Sequence, residues 1–298
     1  MTNKNVYKMG PWTHNIIHTF VESARYSDFI KTFNNMGLYV ETDMKNKSVI
    51  IEIPREDRQQ IRFKELLKCK EFKNTNYKLP IIMGVNVFGN PIIKELDKMP
   101  HLLITGRTGS GKSLFMQNIY ESLSKKLNKD ECQFVIVDLK GIDFNGYSKK
   151  KNMVVPVITE CEEVFKIFDK ISEIIDYREN ILHGKKQEKM PKIVIIIDEF
   201  ADLVAVNKKR IEQFIQLIAQ KGRRVGIHLI ISTQCGHSYL TNVIKANMPT
   251  RICMQTRSKE DSIKSFGESG AELLVSPGDM LYSEAGRVAE RIHCAFNV

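Results

Sequence analysis

Short apolar runs alternate with longer amphipathic segments from Leu79 to the end of the chain. A run that is apolar at every position is buried on both faces of its sheet, which is typical of parallel strands covered by helices. The pattern therefore predicts an α/β fold with a mainly parallel central sheet over residues 79–298. The predicted strands are Ile81–Ile82, Leu102–Thr105, Phe134–Val137, Val154–Ile158, Ile193–Ile197, His228–Ser232 and Arg251–Met254, and the predicted helices are Ser113–Leu127, Cys161–Leu182 and Arg210–Lys221.

Residues 1–78 have a different pattern and are predicted to form a small α+β subdomain. The stretch 48–53 (SVIIEI) predicts a strand, and the stretch 63–72 predicts a short helix. An earlier helix is predicted because five apolar residues have the spacing of one buried helix face. These residues are Ile16, Ile17, Phe20, Val21 and Ala24. We therefore expect two domains, divided at residue 78.

A glycine-rich segment follows the second predicted strand and opens the first predicted helix. Its sequence, GRTGSGKS, is the complete GxxxxGK[ST] pattern in a strand–loop–helix context. The glycines allow successive backbone N–H groups to point at phosphate oxygens, and the positive end of the following helix adds to the attraction. Lys112 is predicted to pair with the β- and γ-phosphates of ATP, and the Ser113 hydroxyl to ligate Mg²⁺. The predicted nucleotide-binding residues are Gly106, Arg107, Thr108, Gly109, Ser110, Gly111, Lys112, Ser113 and Leu114.

Two carboxylates end a wholly apolar predicted strand. Asp198 and Glu199 follow the run IVIII, and ligands bind at the carboxyl ends of strands in open α/β sheets. We expect Asp198 to hold Mg²⁺, directly or through water, and Glu199 to orient and polarise the attacking water. Gln234, after the strand HLIIST, is expected to contact the γ-phosphate or that water. A solvent-exposed acidic strand end is the alternative, and the phosphate-binding loop argues against it.

The chain has a formal net charge of +10 and six cysteines that lie far apart, without a CxxC pair. The charge suits a polyanionic partner, although a lysine-rich composition alone would also produce it. The cysteine spacing argues against a zinc site and indicates free thiols in a reducing compartment. The apolar stretches are far shorter than the ~18 residues of a membrane span, and the N-terminal residues lack the apolar segment of a signal peptide. We therefore expect a cytoplasmic protein with no intrinsic membrane segment.

Several longer phrases resemble the motor domain of the FtsK/SpoIIIE DNA translocases in order and spacing. They are MPHLLITGRTGSGKS, IIIDEFADL, IAQKGRRVGIHLIISTQ, VIKANMPTRI, GAELLVSPGDMLY and RIHCAF. The resemblance runs from about residue 48 to the C-terminus, and residues 51–74 look like the end of the small α subdomain that precedes the core in this family. It implies a RecA-like P-loop ATPase that forms a homo-hexameric ring around double-stranded DNA and binds ATP at each subunit boundary.

Such a ring needs a cation supplied by the neighbouring subunit to the γ-phosphate, because charge develops there in the transition state. Arg223, in KGRRVGIHL, matches the family position of this arginine finger, and Arg178, in IIDYREN, is a second candidate. A surface salt bridge is the alternative role for both arginines.

DNA contacts in the family come from two loops after the strand that ends at Gln234. In the first loop a basic residue usually follows the glutamine, whereas this chain has Cys235, with His237 close by. In the second loop, the segment TRSKEDSIK keeps Lys259 but has Ile263 in place of a second cation. A solvated charged loop is the alternative interpretation. The candidates for contacts with DNA phosphates are His237, Arg257, Lys259 and Lys264.

The sequence as read shows neither the N-terminal membrane helices nor the C-terminal winged helix of the chromosome-segregating members, so we expect a protein without these two parts. We therefore expect a bare motor that couples ATP hydrolysis to movement along double-stranded DNA, in plasmid or mobile-element transfer or segregation. The alternative is a conjugative coupling or protein-secretion ATPase that recruits a protein or relaxase-bound single-stranded DNA. That alternative needs a membrane-channel or relaxase partner and assigns residues 1–47 to docking. A nucleotide-dependent partition protein with negligible movement is a third alternative.

Overall fold

The structure is a computed structural model. It describes residues 5–7, 14–20, 39–43, 48–54, 60–99, 101–184, 190–234, 239–284 and 287–296.

Four described strands of the N-terminal region form an antiparallel sheet in the order β1-β2-β4-β3. They are β1 (Asn5–Tyr7), β2 (His14–Phe20), β3 (Tyr39–Asp43) and β4 (Ser48–Pro54). Strand β4 confirms the strand predicted over residues 48–53. The predicted helix is wrong over Ile16–Phe20, which lies in β2. The β-branched residues of the segment HNIIHTF favour extended backbone over a helix. Val21 and Ala24 lie outside the described residues.

Two short helices, α1 (Phe63–Leu66) and α2 (Lys70–Lys73), stand where one helix was predicted. Cys69 interrupts them with extended backbone, and its Sγ accepts a hydrogen bond from the Phe72 amide as an N-cap. Phe63 and Phe72 are buried in a cluster with Val85 and Ala295, so this segment packs on the larger sheet. The division of the chain at residue 78 stays a prediction.

In the described part of the chain, the larger sheet has nine strands in the order β6-β5-β13-β12-β11-β7-β10-β9-β8. Strands β11, β7, β10, β9 and β8 are parallel, which confirms the predicted α/β fold with parallel central strands. The other four strands extend the sheet in antiparallel pairs. The strands are β5 (Pro80–Asn86), β6 (Pro91–Glu95), β7 (His101–Thr105), β8 (Cys132–Asp138), β9 (Lys192–Asp198), β10 (Ile227–Thr233), β11 (Thr250–Met254), β12 (Asp279–Glu284) and β13 (Glu290–His293).

Helices cover both faces of this sheet, and its central strands β7 and β10 are buried at every position. Ile195 and Leu229 pack in the core beneath α4 (Cys161–His183) and α5 (Phe200–Leu217), whereas Ile196 and Ile230 pack on the opposite face beneath α3 (Lys112–Lys126). Complete burial of such a side chain stabilises the fold by about 1.5–3 kcal/mol. None of the described helices is long and apolar enough to cross a membrane. The helices that follow β7 are α3 (Lys112–Lys126), α4 (Cys161–His183), α5 (Phe200–Leu217), α6 (Arg223–Val225), α7 (Asn242–Asn247) and α8 (Lys259–Ser265).

Two further predicted elements, both in the region after residue 78, differ from the structure. The predicted strand Val154–Ile158 is wrong, because the chain there makes isolated bridges only, from Met153 to Phe134 and from Ile158 to Val137. Pro156 interrupts this run, and proline cannot donate to a strand ladder. The helix predicted from Arg210 begins ten residues earlier, at Phe200, with a kink at Asn207. The side chain of Asn207 accepts a hydrogen bond from the Arg210 amide at 3.1 Å and so caps the segment that the pattern did detect.

Candidate active site

The phosphate-binding loop joins β7 directly to α3. Its close packing explains the first glycine, because a Cβ on Gly106 would stand 2.6 Å from Ser110 Oγ and 2.8 Å from Met254 Cβ. Gly111 has a φ of 108° at the start of the helix, in the left-handed region that favours glycine. The Lys112 ammonium folds back over the loop and donates to the carbonyls of Gly106 at 3.0 Å and Arg107 at 3.2 Å. The lysine is therefore held above the place where the loop amides would receive phosphate oxygens.

A second segment, residues 275–278, grips this loop from outside, and we call it the clasp. The Gly278 amide donates to the Ser110 carbonyl at 3.0 Å, and Ser276 Oγ donates to the Gly109 carbonyl at 3.1 Å. Asp279 anchors the clasp by accepting a hydrogen bond from the Val275 amide at 3.0 Å.

Two basic side chains of β13 hold that anchor in place. The buried carboxylate of Asp279 pairs with Arg291 and with His293. A buried ion pair between Asp279 and Arg291 and a hydrogen bond between Asp279 and His293 thus support the phosphate-binding loop from the antiparallel half of the sheet.

The carboxylates at the end of β9 line the same cleft as the loop. Ser232 Oγ donates to Asp198 Oδ1 at 2.6 Å, and Thr233 Oγ1 donates to Glu199 Oε1 at 2.9 Å. Glu199 has left-handed backbone, with φ 49° and ψ 62°, and is the one described non-glycine residue with positive φ. Strained backbone of this kind is concentrated at functional sites.

The pKa of Asp198 is displaced by its surroundings. Burial raises the pKa of Asp198 from 3.8 to about 6, and the nearby charges of Asp143 and Asp138 add to the rise, whereas the hydrogen bond from Ser232 opposes it. A divalent cation at this carboxylate would favour its ionised form.

The loop after β8 contributes a third carboxylate that the sequence interpretation did not identify. Ser113 Oγ donates to Asp143 Oδ2 at 2.9 Å and lies 3.4 Å from Asp198 Oδ2. Lys140 and Asp143 both line the cleft. The available signal was the position of this loop at the carboxyl end of β8, the neighbour of β9 in the parallel sheet.

These groups enclose a cleft of about 310 Å³. Its donors suit a magnesium nucleotide, because Mg²⁺ prefers oxygen ligands and a lysine and loop amides suit phosphate. Of the predicted loop residues, Gly106, Arg107 and Ser110 shape the loop without lining the cleft. The residues that line it are Thr108, Gly109, Gly111, Lys112, Ser113, Leu114, Lys140, Asp143, Asp198, Glu199 and Gln234.

The two candidate finger arginines differ sharply in environment. Arg178 is only 5% exposed, and its Nη1 donates to the Val225 carbonyl at 2.9 Å. Burial lowers the pKa of Arg178. This side chain is therefore engaged in holding α6 against α4 within its own chain.

Arg223, in contrast, is exposed at the start of α6. Its neighbours Lys221 and Arg224 both pair with Glu179, whereas Arg223 has no ion pair within the described residues. It follows the π-helical turn Ile218–Gly222, and such turns are frequent at functional sites.

The candidate DNA-binding residues of the second loop are at the surface. Arg257, Lys259 and Lys264 are exposed, in the turn before α8 and on that helix. Ser258 caps the helix by accepting a hydrogen bond from the Asp261 amide at 3.2 Å, which fixes the turn. His237, the candidate of the first loop, lies outside the described residues.

Comparison with known proteins supports the interpretation of the site. The model of the FtsK/SpoIIIE family matches residues 62–187 and 181–237. A DNA translocase FtsK of Clostridium tetani is 37% identical over 265 residues, covering 83% of this chain and 36% of the relative. A DNA translocase FtsK of Pseudomonas syringae pv. syringae is 34% identical over 296 residues, covering 86% and 37% respectively. The chain thus spans little more than a third of the length of these curated relatives.

Solved structures support the fold. The conjugation coupling protein TcpA of pCW3, solved with ATPγS, has a TM-score of 0.68 at 22% identity, over 99% of this chain and 88% of that protein. The cytoplasmic domain of the type VII secretion ATPase EccC of Thermomonospora curvata has a TM-score of 0.67 at 23% identity, over 80% and 32%. With the family match and the cleft, this fold confirms the prediction of a P-loop ATPase. The chain belongs to the FtsK/SpoIIIE family.

Proposed function

We propose that this chain hydrolyses ATP to move along double-stranded DNA, as one subunit of a homo-hexameric ring in the cytoplasm. The observation that carries the proposal is the placement of Arg223 and Gln234 at opposite ends of β10. The strand has seven residues, which corresponds to a length of about 20 Å. An arginine at the amino end cannot reach its own cleft, whereas it can reach the cleft of a neighbouring subunit.

Each residue of the cleft has a separate role in ATP hydrolysis. Lys112 and the loop amides bind the β- and γ-phosphates, and Ser113 and Asp198 hold Mg²⁺. The bound cation would neutralise charge that develops on the phosphates. Glu199 orients and polarises the attacking water, and Thr233 fixes the carboxylate by its hydrogen bond at 2.9 Å. Gln234 contacts the γ-phosphate or that water.

Arg223 of one subunit completes the cleft of the next. Because Lys221 and Arg224 are engaged with Glu179, Arg223 is the residue of this basic group that can take a new anionic partner. A cation at the γ-phosphate stabilises the charge of the transition state and couples each turnover to contact between subunits. Arg178 is buried and bonded within its own chain, so we assign it to support of α6.

The exposed side chains of Arg257, Lys259 and Lys264, with His237, contact the DNA backbone. A motor that advances along any sequence must hold phosphates, because base-edge contacts would bind it to particular sites. These contacts release counterions, so affinity for DNA falls as salt concentration rises.

The test is displacement of a triplex-forming strand from duplex DNA, measured beside the ATPase rate. We expect duplex DNA to stimulate hydrolysis, most strongly at low salt, and ATP to drive displacement. Lys112→Ala, which removes the phosphate-binding ammonium, is the inactive control. An ATPase rate that duplex DNA leaves unchanged from low to moderate salt would count against a DNA motor. Hydrolysis without displacement would instead favour the partition protein.

A conjugative coupling or protein-secretion ATPase is the second candidate, in which the same chemistry acts on a recruited protein or relaxase-bound single strand. It is favoured by the extent of the fold likeness to the coupling protein TcpA, which covers 99% of this chain. The deciding measurement is capture of a relaxase or membrane channel by the full chain and its loss on deletion of residues 1–47. Capture of this kind would place the protein in plasmid or mobile-element transfer.

A further inference from the structure

Asp143 is the residue that engages the Ser113 hydroxyl most closely. The hydroxyl donates to Asp143 Oδ2 at 2.9 Å, whereas Asp198 Oδ2 lies farther away, at 3.4 Å. A serine hydroxyl has one proton and two lone pairs. Because the hydroxyl donates its proton in the hydrogen bond to Asp143, both of its lone pairs are available to a cation. This contact therefore orients Ser113 to act as a metal ligand.

The position of Asp143 is fixed by three neighbouring features. Asp138, at the end of β8, accepts hydrogen bonds from the amides of Lys140, Gly141 and Phe144 at 3.2, 3.1 and 3.0 Å. Phe144 is fully buried and fastens the end of the loop in the core. Gln117 of α3 donates to the Asp143 carbonyl at 2.5 Å. The carboxylate is therefore presented to the cleft by a scaffold that is bonded both to β8 and to the helix of the phosphate-binding loop.

Two carboxylates face the Ser113 hydroxyl. Asp143 and Asp198 approach the same hydroxyl, so their carboxylates are near neighbours and repel each other when both are ionised. A divalent cation between them would turn this repulsion into attraction. Mg²⁺ in nucleotide sites keeps several of its waters, which need acceptors beyond the direct ligands.

We propose that Asp143 is a positioning residue for the divalent cation of the nucleotide site. It orients Ser113 through Oδ2 and accepts hydrogen bonds from water of the cation's shell. The inference rests on the proposed function, because it presupposes a magnesium nucleotide in the cleft. In this proposal, the loop after β8 determines the Mg²⁺ concentration at which the site is half occupied.

The test measures binding of a fluorescent ADP analogue as a function of Mg²⁺ concentration, without DNA. Asp143→Asn keeps an oxygen acceptor for Ser113 but removes the charge. We expect the Mg²⁺ midpoint to rise about 10- to 100-fold, the effect typical of residues that orient metal ligands, with unchanged ADP affinity in EDTA. Direct titration of Mn²⁺ against the ADP complex should show the same loss. Asp130→Asn, an exposed residue before β8, is the charge-matched control and should leave both midpoints unchanged.

A second variant separates this role from general damage to the cleft. Asp143→Glu keeps the charge one methylene farther out, and its midpoint should lie between those of the wild type and Asp143→Asn. A wild-type Mg²⁺ midpoint in Asp143→Asn overturns the inference. Equal loss of ADP affinity with Mg²⁺ and in EDTA also overturns it, since the residue would then act on the nucleotide. A wild-type protein that binds no nucleotide would instead refute the proposed function.

Discussion

Ser232 donates its hydroxyl to Asp198 Oδ1 at 2.6 Å, across the two parallel strands β10 and β9. This hydrogen bond favours the ionised carboxylate, but burial outweighs it and raises the pKa of Asp198 to about 6. The folded chain therefore keeps the carboxylate that we propose holds Mg²⁺ in a place where, without a cation, its charge is unfavourable.

Asp198→Asn should abolish Mg²⁺-dependent hydrolysis and stabilise the nucleotide-free protein. The folded pKa of about 6 exceeds the ordinary value of 3.8, so the carboxylate destabilises the fold above pH 6 and no longer does so below about pH 4, where both states are protonated. The gain in free energy of unfolding should be roughly 1–3 kcal/mol at pH 7 and should vanish near pH 4. Urea unfolding of both proteins at the two pH values measures it, and a less stable variant at pH 7 would contradict the account.

Glu199→Gln should bind ATP normally and hydrolyse it about 10²- to 10⁴-fold more slowly. The amide keeps an oxygen to accept the Thr233 hydroxyl but cannot polarise water as a base. Single-turnover hydrolysis and equilibrium binding of labelled ATP separate the two effects. Lys112→Ala should lose binding or hydrolysis, and normal turnover in either variant would refute the assigned role.

Arg223→Ala should be inactive alone and regain hydrolysis when mixed with Lys112→Ala. In a mixed ring the Lys112→Ala subunit supplies an intact arginine to the intact cleft of its neighbour, and about one interface in four has this composition at an equal ratio. The ATPase rate across mixing ratios measures the effect. Arg224→Ala is the matched control, because Arg224 pairs with Glu179 of its own chain. Absence of recovery in co-assembled subunits would argue against action in trans.

Ser276→Ala should weaken nucleotide binding several-fold with little change in stability. The substitution removes the hydrogen bond from the clasp to the Gly109 carbonyl, which contributes about 0.5–1.5 kcal/mol. Asp279→Asn should in addition lower the free energy of unfolding by about 3–5 kcal/mol, because it removes the carboxylate of a buried ion pair with Arg291. Nucleotide titration and thermal unfolding distinguish the two, and equal effects of both variants on stability would refute this division.

Lys259→Gln and Lys264→Gln should each weaken duplex binding for all sequences and reduce the salt slope of the affinity by about 1. Both side chains are exposed on α8, so little change in stability is expected. Fluorescence anisotropy over a range of salt concentrations provides the slope. Lys166→Gln, an exposed lysine on α4, is the control, and an equal effect there would indicate general electrostatic attraction instead of a binding loop.

The sequence predicted the parts of the site that are formed by neighbouring residues along the chain. The segment from Gly106 to Ser113 and the pair Asp198 and Glu199 each follow an apolar strand, so strand and motif locate each other. Asp143 was missed because its place depends on the amides that Asp138 binds and on the buried Phe144. Such a turn has no fixed spacing to a catalytic motif.

The other differences between the sequence predictions and the structure have two causes, namely burial of side chains and segments whose pattern fits both a helix and a strand. Arg223 was the first candidate for the finger and Arg178 the second, and only packing shows that Arg178 donates to the Val225 carbonyl of its own chain. The spacing of Ile16 and Phe20 fits a helix face, but β-branched neighbours decided for a strand. Strands β12 and β13 were not predicted because their sequences, DMLYSE and ERIH, mix polar and apolar residues and so lack the continuous apolar run used to find the parallel strands.

Because Glu199 has left-handed backbone, the residue that would best stabilise the fold at this position differs from the residue that we propose for catalysis. Asparagine and glycine adopt this conformation more easily than glutamate does, so a laboratory selection for heat resistance alone would drive residue 199 towards them. A variant selected in this way would be more stable, and we expect it to have lost ATP hydrolysis. The strained glutamate at position 199 is thus a stability cost that the proposed polarisation of the attacking water by this carboxylate would explain.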